Sequence, residues 1–236
     1  MVTSNQKEVL FREIFSYIKK YQVKSLLDIG AGDGPLAKRL AGKVSEYLAV
    51  ERDSRRAKNL RSLGLNVIHG TFPVKTGKKF DMVLVSHSIP ENATFYKPFL
   101  KRAWNLVNGD GILLIITFKG QLGELYKLRR EWRATDSQGN RDMEPYKLML
   151  KILRSFGGVK IHRAVSEFKS TNLAEIVKLT MLSVGPAKAK RQACKQFLGK
   201  FLKDSRRSRK PYTLSHQHIF LSVRNKKGPA TYVAGP

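Results

Sequence analysis

The stretch Ser25-Leu26-Leu27-Asp28-Ile29-Gly30-Ala31-Gly32-Asp33-Gly34 decides the fold of this chain. Its first five residues form an apolar run with the length of a buried strand, and glycines then stand at every second position. Residues 35–41 follow with helical spacing. Glycines let the backbone turn sharply beside a ligand, and the N-terminus of a helix carries a partial positive charge. The stretch therefore predicts a strand, a ligand-binding turn and a helix.

The chain on both sides alternates between apolar runs and helical periodicity. Besides 25–29, the predicted strands are 47–51, 65–69, 80–85, 111–117, 159–165 and 212–223, the last of them alternating as a half-buried strand does. The predicted helices are 4–20, 35–41, 52–63 (N-cap Ser54, C-terminal stop Gly64), 92–107, 121–132, 144–156, 172–182 and 188–201. This alternation predicts an α/β fold: a doubly wound, seven-stranded, mostly parallel sheet with helices on both faces and an antiparallel last strand.

The second predicted strand ends in an acid, Glu51, which stands 21 residues after Gly30. A carboxylate at that place can accept two hydrogen bonds from the hydroxyls of a ribose. Dinucleotide-binding turns have the spacing G-x-G-x-x-G, whereas this chain has G-x-G-x-G preceded by Asp28. Because Asp28 would repel a pyrophosphate and attract an amino group, the residues indicate a nucleoside ligand with an amino group.

In these residues the sequence resembles the class I S-adenosylmethionine-dependent methyltransferases, whose first motif is an acid followed by G-x-G-x-G. The resemblance covers about residues 22–118 and implies an enzyme that uses S-adenosylmethionine. It implies that Glu51 holds the ribose, and that the methionine part is held by Asp28, Gly30, Ala31, Gly32 and Gly34. Family members often have an acid after the third strand that bonds the adenine. This chain has Thr71 there, followed by Phe72, which either packs on the adenine or belongs to the core.

The fourth predicted strand leads into Ser86-His87-Ser88-Ile89-Pro90-Glu91. Family members place here the groups that face the transferred methyl. We assign Ser86 to the cofactor, and Ser88 and Pro90 to the substrate. His87 is the candidate general base, because an imidazole with a pKa near its ordinary value of about 6.5 accepts a proton at neutral pH. The alternative is a structural histidine.

Charge suggests the partner. The chain has 45 Lys and Arg against 18 Asp and Glu, a net charge of +27, and the part after Phe118 carries +18 of it. Such an excess favours RNA or another polyanion, since neutralised phosphates raise affinity. We expect two basic helical segments, 127–133 and 186–210, to contact the RNA backbone through Arg130, Arg133, Arg206 and Arg207. Trp132 in the first segment is either an RNA contact or part of the core.

The sequence leaves other substrates open. Family members that methylate RNA adenines carry N-x-P-aromatic after the fourth strand, and of this motif the chain keeps only Pro90, although Phe95 and Tyr96 can supply a stacking face. The order of elements is also similar to that of small-molecule N- and O-methyltransferases such as histamine N-methyltransferase. A third alternative is a non-catalytic RNA-binding scaffold.

Composition excludes several classes of protein. Cys194 is the single cysteine, so neither an internal disulfide nor a Cys-rich zinc site is available, and His216 and His218 lack the partners of a metal site. No apolar run reaches the length of a membrane span, and the N-terminus does not resemble a secretion signal. We expect a cytoplasmic protein with one domain in residues 1–225: an N-terminal helix in 1–20, a cofactor-binding half in 22–118 and a basic, substrate-side half in 119–225. Residues 226–236 are expected to form a flexible tail.

Overall fold

The computed structural model describes residues 3–90, 92–118, 132, 144–184, 191–204 and 212–224. The chain forms two compact units. The larger one comprises Leu10–Thr117, Pro145–His162 and Ile219–Pro236, and the smaller one Met1–Val9, Phe118–Glu144 and Arg163–His218. The assignment of residues 1–225 to one domain stays a prediction. The expected flexible tail, 226–236, lies outside the described residues.

The described elements follow one another in strand–helix alternation. They are β1 (Thr3–Ser4), α1 (Gln6–Lys20), β2 (Ser25–Ile29), α2 (Pro35–Ala41), β3 (Glu46–Glu51), α3 (Ser54–Ser62), β4 (Val67–His69), β5 (Phe80–Ser86), a 3-10 turn (Ala93–Phe95), α4 (Tyr96–Asn105), β6 (Val107–Phe118), α5 (Glu144–Arg154), β7 (Val159–Ser170), α6 (Leu173–Val184), α7 (Arg191–Asp204) and β8 (Tyr212–Arg224). The predicted helix 121–132 lies outside the described residues except for Trp132. None of the described helices is long and apolar enough to cross a membrane.

In the larger unit the strands lie in the order β8-β6-β5-β2-β3-β4. The pairs β2–β3, β3–β4, β2–β5 and β5–β6 are parallel. Strand β2 therefore lies at the centre of the parallel part of the sheet. The chain first adds β3 and β4 on one side of β2, and then adds β5 and β6 on the other side. Such a reversal opens a crevice outside the carboxyl ends of the central strands, which is where doubly wound sheets bind ligands.

The core of this unit is formed by strands buried on both faces. Residues 82–85 of β5 and 112–116 of β6 are almost completely inaccessible, and helices α4 and α5 add Leu100 and Leu153. Continuous apolar strands are typical of a parallel sheet with helices on both sides. Asp81, at the start of β5, accepts hydrogen bonds from the amides of Lys24 and Ser25 at 2.9 Å each, which aligns β5 with β2. This alignment brings the carboxyl ends of β2 and β5 to the same edge.

The smaller unit has the strand order β1-β7-β8, and β1 pairs antiparallel with β7 through Thr3 and Lys169. Its core contains Trp132, whose ring centroid lies 5.6 Å from that of Phe197. Trp132 is 7% exposed, so the core alternative is the correct one for this side chain. Cys194 is buried in the same core.

The predicted fold class is confirmed: the molecule is an α/β protein with a mostly parallel sheet and an antiparallel edge strand. The described strands number eight rather than seven, because the two-residue strand β1 was not predicted. The N-cap of α3 is Asp53, whose side chain accepts from the amide of Arg56 at 2.9 Å, and not Ser54. The expected alternation of the last strand is also wrong, since residues 218–223 are all buried.

Candidate active site

A cavity of about 710 Å³ opens beside the residues that follow β2, β3 and β5. Four segments line it: the end of β2 with Gly30, residues 50–52, residues 70–73 and residues 87–90. Helix α3 contributes Arg56, and the 3-10 turn with α4 contributes Phe95, Pro98, Phe99 and Arg102. The cavity therefore lies at the crevice that the strand order predicts.

The glycine turn is shaped by close approach to the residues after β5. Gly30 has φ +78°, and its amide donates to the carbonyl of Val50 at 2.7 Å. A Cβ atom on Gly30 would collide with Cβ of Ser88, so only glycine fits at this position. The Ser88 hydroxyl donates to the carbonyl of Ile29 and holds the two loops together.

Glu51 connects the glycine turn to the start of α3. Its Oε2 accepts from the amide of Gly32 at 2.9 Å, and its Oε1 accepts from the amide of Asp53, also at 2.9 Å. The side chain lines the cavity although the residue is only 4% exposed. Each carboxylate oxygen has a second lone pair, so the carboxylate can still accept hydrogen bonds from a ligand.

Asp28 is held by a partner that the sequence did not indicate. The hydroxyl of Tyr47, on the neighbouring strand β3, donates to its Oδ2 at 2.7 Å. Burial raises the pKa of Asp28 to about 6; the Tyr47 hydrogen bond lowers it and the charge of Glu51 raises it further. Asp28 does not line the cavity, so its contact with the methionine part of the cofactor stays a prediction.

Thr71 and Phe72, the two residues predicted to contact adenine, both line the cavity. The Phe72 ring packs edge-on against Phe99, with centroids 5.1 Å apart, and it also borders the hydrophobic core. The Phe72 ring is therefore both a wall of the cavity and a neighbour of the core, and its contact with adenine stays a prediction.

The segment after β5 presents His87, Ser88 and Pro90 to the cavity, as predicted. His87 has φ +55°, an uncommon conformation for a residue with a side chain, and its amide donates to the carbonyl of Ile116 at 2.9 Å. Strained backbone of this kind costs on the order of 1–3 kcal/mol and concentrates at functional sites. Its role as a base stays a prediction.

The remaining predicted residues are not gathered in the cavity. Ala31, Gly32, Gly34 and Ser86 do not line it, although the Gly32 amide orients Glu51. The four predicted RNA contacts Arg130, Arg133, Arg206 and Arg207 lie outside the described residues.

Sequence reasoning missed three arginines that line the cavity, Arg52, Arg56 and Arg102. Arg52 directly follows Glu51, and Arg56 is one helical turn further on. Their positions relative to Glu51, the acid predicted to hold the ribose, could therefore have indicated both arginines from the sequence. Arg102 has no such signal, because only the packing of α4 brings it to the cavity.

Known proteins share this architecture. A parallel sheet whose order reverses beside β2, with a glycine turn after β2 and an acid ending β3, is the fold of class I S-adenosylmethionine-dependent methyltransferases. Residues 1–108 match the family model of the DREV methyltransferases, which is a little under half of the chain. The chain therefore has the fold of the S-adenosylmethionine-dependent methyltransferases, and its first 108 residues are similar to a methyltransferase family. Both findings support a methyltransferase that uses S-adenosylmethionine.

Solved structures share the fold at low identity. The YcgJ protein of Bacillus subtilis is 13% identical, with a TM-score of 0.58 over 92% of this chain and 98% of that chain. The N-methyltransferase NodS of Bradyrhizobium japonicum WM9, solved with S-adenosyl-L-homocysteine, is 11% identical, with a TM-score of 0.52 over 92% and 87%. The O-methyltransferase of Bacillus cereus, also solved with S-adenosylhomocysteine, is 11% identical, with a TM-score of 0.50 over 91% and 80%. No curated protein matches the sequence.

The cavity fits S-adenosylmethionine as the methyl donor. Gly30 leaves no Cβ at the turn, Glu51 retains acceptor capacity that ribose hydroxyls require, and Thr71 and Phe72 line the cavity, as their predicted contact with adenine requires. The volume lies within the range of about 300–1,000 Å³ that is usual for ligand pockets. The residues present are therefore those that would hold the cofactor.

The raised pKa of Asp28 predicts a pH-dependent stability. The folded carboxyl titrates at about 6 and the ordinary value is 3.8, so the folded state favours the protonated form. The stability that this group contributes is complete below pH 4, and on the order of 3 kcal/mol is lost as the pH rises to 6. Urea unfolding of Asp28→Asn should lack this fall, whereas Tyr47→Phe should extend it to higher pH. An unchanged pH profile in Asp28→Asn would contradict the assignment.

Replacing Glu51 should weaken cofactor binding. Glu51→Ala removes the acceptor for the ribose and the hydrogen bond that orients Gly32, so affinity for S-adenosylmethionine should fall by roughly 1.5–3 kcal/mol, or about 10- to 150-fold. Calorimetry measures the change. Glu46→Ala, at the other end of β3, is the matched control and should keep the wild-type affinity. Equal affinities in the two variants would remove Glu51 from the site.

Proposed function

We propose that the protein transfers the methyl group of S-adenosylmethionine to a nitrogen or oxygen acceptor on RNA or another anionic substrate. The observation that carries the proposal is the set of three arginines in the cavity wall, Arg52, Arg56 and Arg102. All three side chains belong to exposed residues, so they are accessible from solvent.

The charge of the cavity favours an anion. Three arginines and one carboxylate, Glu51, leave the lining with a net charge of +2 when His87 is neutral. A bound sulfonium adds a further positive charge. Arginine binds phosphate and carboxylate groups through paired hydrogen bonds, and such bonds are stronger than those between neutral groups. An acceptor that carries a phosphate therefore fits this lining better than a cationic amine does.

An exposed aromatic ring at the same cavity supports a nucleobase. Phe95 lines the cavity and is 58% exposed, whereas its neighbour Tyr96 is 5% exposed and packs in the core. Stacking of a base on an aromatic side chain contributes about 1–3 kcal/mol. Of the two predicted stacking residues, only Phe95 is therefore available. The exposed ring of Phe95 and the net charge of +27 together favour RNA over a small anion as the substrate.

The chemistry places modest demands on the protein. The sulfonium of S-adenosylmethionine supplies an activated methyl group, and the surrounding residues align the acceptor and exclude water. In this proposal His87 accepts the proton that an N–H or O–H acceptor loses, while Ser88 and Pro90 border the acceptor.

A transfer assay tests the acceptor class. The protein is incubated with methyl-labelled S-adenosylmethionine and either total RNA or a pool of small metabolites, and we expect the label in the RNA. Arg56→Gln and Arg102→Gln should each raise KM for RNA about tenfold, the effect of losing a charge-assisted hydrogen bond of roughly 1.5 kcal/mol. The control is Lys101→Gln, which replaces an exposed cation on the same helix as Arg102. Label in the metabolite pool, with unchanged KM in both arginine variants, would instead identify a small-molecule enzyme.

The role of His87 is tested by His87→Asn, because asparagine tolerates positive φ. Loss of a general base should lower kcat by about 10²–10⁴ and leave the affinity for S-adenosylmethionine within about twofold. A structural histidine would behave differently: the melting temperature and the cofactor affinity would fall together. Calorimetry and single-turnover kinetics on the same preparation separate the two outcomes.

A further inference from the structure

Helix α1 and the end of α2 together carry a basic and aromatic surface outside the cavity. We define the α1 basic surface as Phe11, Phe15, Lys19, Arg39 and Lys43. The two rings are stacked, with centroids 5.7 Å apart and planes 11° from parallel. The guanidinium of Arg39 lies 3.7 Å from the centroid of Phe11, and the ammonium groups of Lys19 and Lys43 each lie 5.5 Å from that of Phe15.

The spacing along the chain explains how the surface is assembled. Phe11, Phe15 and Lys19 are separated by four residues each, so they share one face of α1. Arg39 lies in the last turn of α2 and Lys43 follows that helix. The three cations belong to exposed residues and both rings are half-buried. None of the five residues lines the cavity.

Cation–ring contacts are concentrated at this helix. Proteins contain about one such contact per 70–80 residues. In the described part of this chain, five contacts fall on rings of α1 or of Tyr21, which directly follows it: the three above and those of Lys20 and Arg224 with Tyr21. These contacts hold several positive charges at defined positions on the surface.

We infer that the α1 basic surface binds the phosphate backbone of the RNA substrate, as a second contact beyond the cavity. Rings hold the cations in place, so less side-chain freedom is lost when a phosphate binds. Both rings are half-buried and lie beside cations, an arrangement that favours phosphates in water over insertion into a lipid bilayer. This inference deepens the proposed function, because it rests on RNA as the substrate.

The test measures binding without methyl transfer. Affinity of the full chain for a fluorescent 20-nucleotide poly(U) RNA is followed by anisotropy between about 50 and 200 mM salt. The variant Lys19→Gln/Arg39→Gln/Lys43→Gln should lose at least about tenfold in affinity at the lowest salt, and its plot of log affinity against log salt should be shallower by about 2, since each phosphate contact on a single strand contributes about 0.7. Affinity for S-adenosylmethionine should stay unchanged.

A matched variant controls for net charge. Lys58→Gln/Lys75→Gln/Lys160→Gln removes three exposed cations elsewhere and should change RNA affinity by less than about threefold. A second variant, Phe11→Leu/Phe15→Leu, keeps every cation but removes the rings, and it should lose about two- to fivefold per ring. Equal losses in the two triple variants would overturn the inference, because affinity would then depend on net charge alone.

Two further outcomes separate this surface from the proposed function. If vesicles with about one third phosphatidylserine bind the protein more tightly than poly(U), and the Lys19/Arg39/Lys43 variant loses that binding, the surface is a membrane contact and the inference is wrong. If RNA is methylated with the same KM in that variant as in the wild type, the inference fails while the proposed function stands. If the variant loses poly(U) binding but no RNA is methylated, the surface stands and the proposed function fails.

Discussion

The carboxylate of Glu51 is the constraint on which the site depends. A buried carboxylate is costly unless it is hydrogen-bonded, and Glu51 accepts from two backbone amides, those of Gly32 and Asp53. The bond from Gly32 orders the glycine turn after β2. The bond from Asp53 holds the backbone just before the first turn of α3. A single side chain therefore links the glycine turn to the start of α3 at the cavity wall. The same oxygens keep lone pairs that can accept from a ligand, as the predicted contact of Glu51 with a ribose requires.

Asp28 and Glu51 are two acids whose charges repel one another. Burial is the main cause of the raised pKa of Asp28, and the charge of Glu51 adds to it. Because these acids lie beside a cavity fit for a cationic cofactor, an ammonium or sulfonium group would offset the repulsion between them. A cost in stability is a usual consequence of building a binding site from buried charges. Tyr47 moderates the effect by donating to Asp28.

Much of the fold could be predicted from the sequence because its signals are local. The bounds of β2 and α2 follow from periodicity and from the glycines between them, and Glu51 follows from its distance to Gly30. Contacts across strands have no such signal. Tyr47 meets Asp28 because the register aligns Leu26 with Tyr47 and Asp28 with Ala49, and no local pattern specifies that register. The same reason explains why the sequence predicted an alternating, half-buried β8. Polar residues such as His218 and Ser222 are buried by contacts that exist only in the folded chain.

Two groups of cations lie on the described part of the chain, one at the cavity and the other on the α1 basic surface. In the proposed function, Arg52, Arg56 and Arg102 at the cavity would contact the acceptor through charge-assisted hydrogen bonds that select its chemistry. Residues of the α1 basic surface face bulk solvent, where salt screens single charges within about 10 Å and only several phosphates bound together give affinity. In the proposed function, one set of residues would select the RNA substrate and a different set would retain it. The rate with saturating substrate should then depend little on salt, while the encounter with RNA should depend on it steeply, because only the second requires the exposed cations.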